Sequence, residues 1–166
     1  MIAKTHISGT LAQIDTLYSK STKPRDHLFY SKLAVLELCG WIEESMDDIV
    51  RKCGNRCLRN PATRKFLEED VIEPNFGFGY STHFSKMLRQ VLGLVNLERL
   101  ERRLDPVKFA RLRSTLGLLK VRRDAEAHTH LKGIKLLDAP AVTKVNFQIV
   151  YDGLKDIEDA LRTLRV

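Results

Sequence analysis

Apolar side chains recur along most of this chain at intervals of three and four, the period of helices that bury one face. Between residues 3 and 19, Ile7, Leu11, Ile14 and then Leu17 or Tyr18 share such a face. Ser-Lys-Ser-Thr-Lys ends this run, and Pro24, whose fixed φ suits a first helical turn, opens the next. The second pattern runs through Leu28, Leu33, Leu36, Cys39, Trp41, Ile42, Met46, Ile49 and Val50 and is predicted to stop at Gly54. It is apolar around much of its circumference, so it is expected at the centre of a bundle. Asn60-Pro61 reads as the cap and first turn of a third helix reaching about Ile72, followed by an irregular stretch from Glu73 to Tyr80. Ser81 or Thr82 is expected to cap a fourth helix bearing Phe84, Met87, Leu88, Val91, Leu92, Leu94 and Val95, with 97–104 continuing it or adding a short helix. Asp105-Pro106 opens a long helix to about Leu131, which Lys132-Gly133 ends. After a turn at Asp138-Ala-Pro140, a closing helix from about Ala141 carries Val145, Ile149, Leu154, Ile157, Leu161 and Leu164.

No stretch reads as a strand, a repeat or a low-complexity linker, so the pattern predicts an all-α bundle of five to seven helices. A chain of 166 residues fits one domain spanning 1–166, with enough apolar residues to close a core without disulfides or metal. Cys39, Cys53 and Cys57 are odd in number, and Met-Ile-Ala-Lys-Thr-His lacks the apolar run of a signal peptide, so a reducing cytoplasm is the expected compartment. No apolar run approaches membrane-spanning length, so no membrane partner is expected.

Charge changes the picture through its placement. The formal net charge is +7, and from Arg99 to Arg123 nine basic residues stand against two acids, Glu101 and Asp105, so this segment holds the whole excess. Besides Arg123, the nine are Arg99, Arg102, Arg103, Lys108, Arg111, Arg113, Lys120 and Arg122, candidate phosphate contacts for a nucleic acid; the alternative is a solvated helical surface.

The segment leads into Lys120-Val-Arg-Arg-Asp-Ala-Glu-Ala-His128-Thr-His130. An arginine, a polar residue after it and a histidine five positions on bring together an oxyanion stabiliser and a proton carrier, the tools for cutting a phosphodiester without metal. At about 100° per residue, Phe109, Leu112, Leu116, Leu119, Arg123 and Ala127 fall on one stripe. A guanidinium in a core stripe needs an acidic partner or a cleft, and Glu43 or Glu44 on the second helix are the natural partners. Val107, Ala110, Leu118, Val121, Ala125 and His128 form a second apolar face, which calls for a second packing partner such as another subunit. On a straight helix Arg123 and His128 stand about 140° apart with a rise of about 7.5 Å. They meet only if the helix bends or ends between them, or if two subunits share a cleft. His130 falls on the Arg123 side and is an alternative proton carrier.

Arg123-Asp124-Ala125-Glu126-Ala127-His128, with its apolar approach Leu118-Leu-Lys-Val-Arg, resembles the motif helix of the HEPN superfamily. Ser31-Lys-Leu-Ala-Val-Leu-Glu-Leu-Cys-Gly-Trp-Ile-Glu43 is similar to that family's upstream helix. The resemblance covers about 24–166, and the order of elements looks like the HEPN variants of bacterial defence and toxin systems. It implies a HEPN-like helical bundle acting as a metal-independent endoribonuclease, without cofactor, that cleaves RNA by attack of the ribose 2′-hydroxyl at a homodimer cleft. On that reading His128 moves protons, Arg123 holds the scissile phosphate, Asp124 orients one of the two and Glu43 partners Arg123. The remaining basic residues of 99–123 contact RNA, and a cognate antitoxin or regulatory protein restrains the activity. Thr129-His130 stands where the family often has a glycine, which keeps His130 open as the proton carrier. The alternative the family offers is a non-catalytic module that binds RNA or protein.

Other motifs carry less. Cys53 and Cys57 lack the second Cys or His pair of a zinc site. Phe76-Gly-Phe-Gly-Tyr80 is expected to plug the bundle, with stacking on bases as the alternative. His27 and His83, near helix starts, are expected at the surface or at caps, and Glu43-Glu44 and Asp47-Asp48 are expected to pair with arginines.

Overall fold

The longest helix begins at Pro24, as the proline predicts, and the rest of the bundle is arranged around it. The computed structural model describes residues 2–127 and 137–164. Among the described residues there are six α-helices and no strands: α1 (Thr5–Lys20), α2 (Pro24–Cys57), α3 (Pro61–Phe66), α4 (Ser85–Glu101), α5 (Pro106–Ala127) and α6 (Pro140–Thr163). Ala34, Leu38, Ile42, Met46 and Val50, each four residues from the last, are fully buried along α2, which packs against α1, α4, α5 and α6. The predicted stop at Gly54 is not where α2 ends. It continues one turn to Cys57, and the Leu58 amide donates to the Gly54 carbonyl at 2.9 Å. Gly54 is small for a different reason: a β-carbon there would come within 2.6 Å of the Leu67 side chain, so the glycine admits the following segment to the core.

Asn60 caps α3, its Oδ1 accepting from the Ala62 amide at 2.9 Å. The helical path does reach Ile72, but through a wide π turn over Leu67–Ile72, where the Glu73 amide donates to the Glu68 carbonyl five residues back. This turn places Leu67, Val71 and Ile72 in the core, whereas α3 itself buries nothing. A second π turn, Tyr80–Phe84, leads straight into α4. Neither Ser81 nor Thr82 caps it. Both are exposed, and the Gly79 carbonyl receives the amides of His83 (2.9 Å) and Phe84 (3.2 Å) in their place. Within α4 the backbone breaks at Gly93 (φ 74°, ψ 165°), a conformation open essentially to glycine alone. The break interrupts the helical period, so Leu97 and Leu100 are buried while Leu94 and Val95, expected on the apolar face, stand exposed.

Asp105 caps α5 as its position before proline predicts: Oδ1 accepts from the amides of Val107 (2.9 Å) and Lys108 (3.0 Å). Leu112, Leu116 and Leu119 bury the inner face of α5. Where α5 meets α6, a β-carbon on Gly153 would lie 2.7 Å from that of Leu112, so only glycine allows this approach. On α6 the buried side runs through Thr143, Asn146, Phe147, Val150, Leu154, Ile157 and Leu161, leaving Val145 on the exposed side. The predicted Lys132-Gly133 ending lies outside the described residues. No described helix is long and apolar enough to cross a membrane.

Candidate nucleic-acid cleft

Arg123 follows Leu119 by one turn on the inner stripe of α5, at the point where that stripe leaves the core. Its guanidinium forms an ion pair with Glu43 of α2, and the two side chains are 32% and 34% exposed. The cation also lies over the ring of buried Phe78, 5.4 Å from its centroid. Arg123 Nε stands 3.5 Å from Asp124 Oδ1, and Lys120 Nζ donates to Asp124 Oδ2 at 2.7 Å. The hydrogen bond from Lys120, joined by the charges of Lys120 and Arg123, holds the Asp124 carboxyl below the usual range against its partial desolvation. Glu44 is exposed, and of the two acids it is Glu43 that engages the arginine. Beneath them, burial pushes the Cys39 thiol up to about 12, with Arg123 pulling it down and Glu43 and Asp124 adding to the rise. Cys39 is therefore a protonated core residue with no nucleophilic character near neutral pH.

Lys120, Arg123 and Asp124 line one side of a cleft of about 400 Å³, and Phe76, Gly77, Phe78 and His83 line the other. His83, expected at the surface or a cap, is half-buried in this cleft. Two local features hold its ring. Thr82 Oγ1 lies 2.8 Å from Nδ1, and the ring rests against Gly77, where a β-carbon would come within 3.0 Å of Cε1 and Nε2. Gly77 also has φ 124°, so both its backbone and its lack of a side chain serve the same contact. The three aromatics of the 76–80 segment divide. Phe78 and Tyr80 are buried and plug the bundle, whereas Phe76 is 84% exposed at the cleft mouth.

A second hollow of about 530 Å³ adjoins this cleft through consecutive residues Thr82 and His83. Ala110, Arg113, Ser114 and Gly117 of α5 form one side and Gly79 to Thr82 the other. Arg113 lies over both Tyr80 and Phe109, 5.8 and 5.6 Å from their ring centroids. Tyr80 donates to Glu101 Oε1 at 2.7 Å, and burial followed by that acid raises its hydroxyl pKa, with Arg113 opposing.

The other basic residues are distributed around the bundle. At about 100° per residue, Arg113 and Lys120 flank one edge of the buried stripe of α5, and Arg111 and Arg122 the other. Arg122 pairs with Asp138, and exposed Arg102 pairs with Glu98. Arg103 donates to the Thr163 carbonyl at 3.4 Å and Arg99 to Asn96 at 3.4 Å, while Lys108 and Arg111 are exposed. His128 and His130 lie outside the described residues. His27 approaches the Ser21 carbonyl through Nε2 at 2.8 Å and stacks on Tyr18, joining the start of α2 to α1. Cys53 is buried and Cys57 exposed, and no group of three or more His, Cys, Asp or Glu among the described residues could hold a metal ion. Asp48 pairs with Arg51 and Lys52.

No protein-family model, curated protein or solved structure matches this chain.

Proposed function

We propose that the protein is a metal-independent endoribonuclease of the HEPN type, a cytoplasmic toxin or defence effector that cuts RNA through Arg123 and His128. The observation that carries this reading is the setting of Arg123: it continues a core stripe, yet its guanidinium faces a cleft shared with Lys120 and His83. In the reaction the ribose 2′-oxygen attacks the adjacent phosphorus while His128, or His130, accepts its proton. The bond to the 5′-oxygen breaks, that oxygen takes up a proton, and the products are a 2′,3′-cyclic phosphate and a 5′-hydroxyl. Arg123 offsets the charge that builds on the phosphoryl oxygens, which its planar fork of donors suits. Glu43 and Asp124 hold that fork in place. The nucleophile belongs to the substrate, so DNA is inert. The resemblance implies a homodimer with a shared cleft, and the exposed Val107, Leu118 and Val121 supply an apolar strip on which a second subunit could pack. An antitoxin or regulatory protein restrains the activity.

One observation favours a non-catalytic module that binds RNA or protein: Arg123 is already engaged by Glu43 and Asp124, as a structural arginine would be. Incubation with RNA in EDTA separates the two. Cutting that survives chelation and is lost in His128→Ala, or in both His128→Ala and His130→Ala together, supports the nuclease. Binding without cutting supports the module and removes the nuclease.

A further inference from the structure

We propose that the cleft between the 76–83 segment and α5 is a nucleotide subsite for single-stranded RNA, with Phe76 as the platform on which a base stacks. Lys120, Arg123 and His83 then face the sugar and phosphate of the same nucleotide. The inference deepens the ribonuclease reading and rests on it for the choice of RNA.

Phe76 is the observation that asks for an explanation. A phenylalanine at 84% exposure contributes little to the bundle, and its neighbours Phe78 and Tyr80 already fill the core there. It stands at the mouth of a cleft whose polar lining groups are two cations, an imidazole and one carboxylate, beside Gly77 and the Phe78 ring. An aromatic face beside clustered cations is the combination that binds single strands, since every base has a π-face and every nucleotide a phosphate. The backbone has been shaped to present it. Gly77 adopts a positive φ directly after Phe76, and the missing β-carbon lets the His83 ring close the cleft floor behind it. Among the described residues that line the cleft Asp124 is the one acid; it pairs with Lys120 and Arg123, and Arg123 is also paired with Glu43. The adjoining hollow beside Arg113, Ser114 and Gly117 gives the strand a path onward. From Arg113 to Arg123 the helix rises about 15 Å, room for more than one nucleotide beyond the stacked base.

The test is fluorescence anisotropy with a labelled, 2′-fluoro oligouridylate, which lacks the nucleophile and so reports binding without cleavage. A matched oligomer with one abasic position, the wild-type chain, Phe76→Ala and Phe76→Trp complete the set. Because Phe76 touches little of the core, these variants should fold as the wild type does. The expected result is about tenfold weaker binding by Phe76→Ala, the range of one lost base stack. Phe76→Trp should retain binding, and the abasic position should weaken wild-type binding while leaving Phe76→Ala unaffected. Equal binding by wild type and Phe76→Ala overturns the subsite, and so does a wild-type chain that does not bind the oligomer. If Phe76-dependent binding appears but RNA is never cut, the subsite stands and the nuclease reading falls. If EDTA-resistant cutting depends on His128 while binding ignores Phe76, the reverse holds.

Discussion

Neutralising Glu43 tests how firmly the bundle holds Arg123. Glu43→Gln keeps the shape of the side chain but removes the charge opposite the guanidinium, leaving Asp124 at 3.5 Å as its acidic neighbour. A fully exposed ion pair contributes about 0–1 kcal/mol. Removing one partner of a fully buried pair costs about 3–5 kcal/mol. With 32% and 34% of the two side chains exposed, this pair lies between those limits, and Asp124 retains part of the attraction in the variant. The expected loss is therefore about 1–2 kcal/mol. In a chain of this size each kcal/mol moves the melting temperature by about 2–4 °C, so Glu43→Gln should lower Tm by about 2–8 °C. Arg123→Gln should lower it at least as much, because it also loses the contact with Phe78. The decisive quantity is the coupling energy from the full cycle of Glu43→Gln, Arg123→Gln and the double variant, measured by urea unfolding followed by circular dichroism. A coupling below about 0.5 kcal/mol, the scatter found for independent sites, means that solvent screens the pair completely, and the account of a held guanidinium fails.

Burial, with the charges of Glu43, Asp48 and Glu68 adding and Arg51 opposing, pushes Asp47 up to about 6. The folded chain therefore binds that proton more tightly than the unfolded chain, and stability falls as pH rises from about 4 to about 6 and stays lower above. Asp47→Asn should flatten this part of a Tm-against-pH curve and gain about 1 kcal/mol at neutral pH, after discounting for solvent screening at a group that is only partly buried. Gly153→Ala would set a β-carbon 2.7 Å from that of Leu112, where no flexible side-chain end can swing away. The overpacking of about 1–3 kcal/mol should exceed the gain in helix propensity of about 1 kcal/mol, so calorimetry should show a lower Tm. If RNA follows the two hollows, Arg113→Ala should reduce the slope of log affinity against log salt by about 0.7, whereas Arg111→Ala, on the opposite flank of α5, should leave it unchanged.

The helices were legible because their start signals are local. Pro24, Asn60-Pro61 and Asp105-Pro106 each act on the next few backbone amides, and all three helices begin where these residues stand. Glycine was harder to read, since one residue type serves opposite purposes. Gly54 sits inside a helix to admit Leu67, Gly93 breaks a helix, and Gly153 admits Leu112; what separates them is the neighbour across the gap, which sequence spacing does not reveal. The same reason explains the site. The wheel placed Arg123 on the core stripe and offered Glu43 or Glu44 as partners, because that argument needs only the helical period. His83 escaped it, since its position depends on an irregular backbone at 73–79 and a π turn after it. The usable signal was the pair of glycines at 77 and 79, which mark where a ring could lie directly on the chain.

The three faces of α5 constrain how any dimer could form. Its buried stripe faces the core through Leu112, Leu116 and Leu119, and its groove stripe carries Ala110, Arg113, Ser114, Gly117 and Lys120. The exposed apolar stripe of Val107, Leu118 and Val121 lies only about 70° around the helix from the groove. Those three side chains span about 21 Å of helix, long enough to seat a partner helix. They offer far less than the roughly 1,200–2,000 Å² that a stable interface buries, so a partner on this strip must recruit the residues beside it. On one side those residues are the small positions Ala110, Ser114 and Gly117, which also line the second hollow, so a helix seated closely on them would occupy it. A dimer built there would compete with RNA for the second hollow, whereas Arg123, on the inner stripe nearly opposite the strip, would lie away from the seam. Dimer formation and access to that hollow would then be one property, because the same helix face sets both.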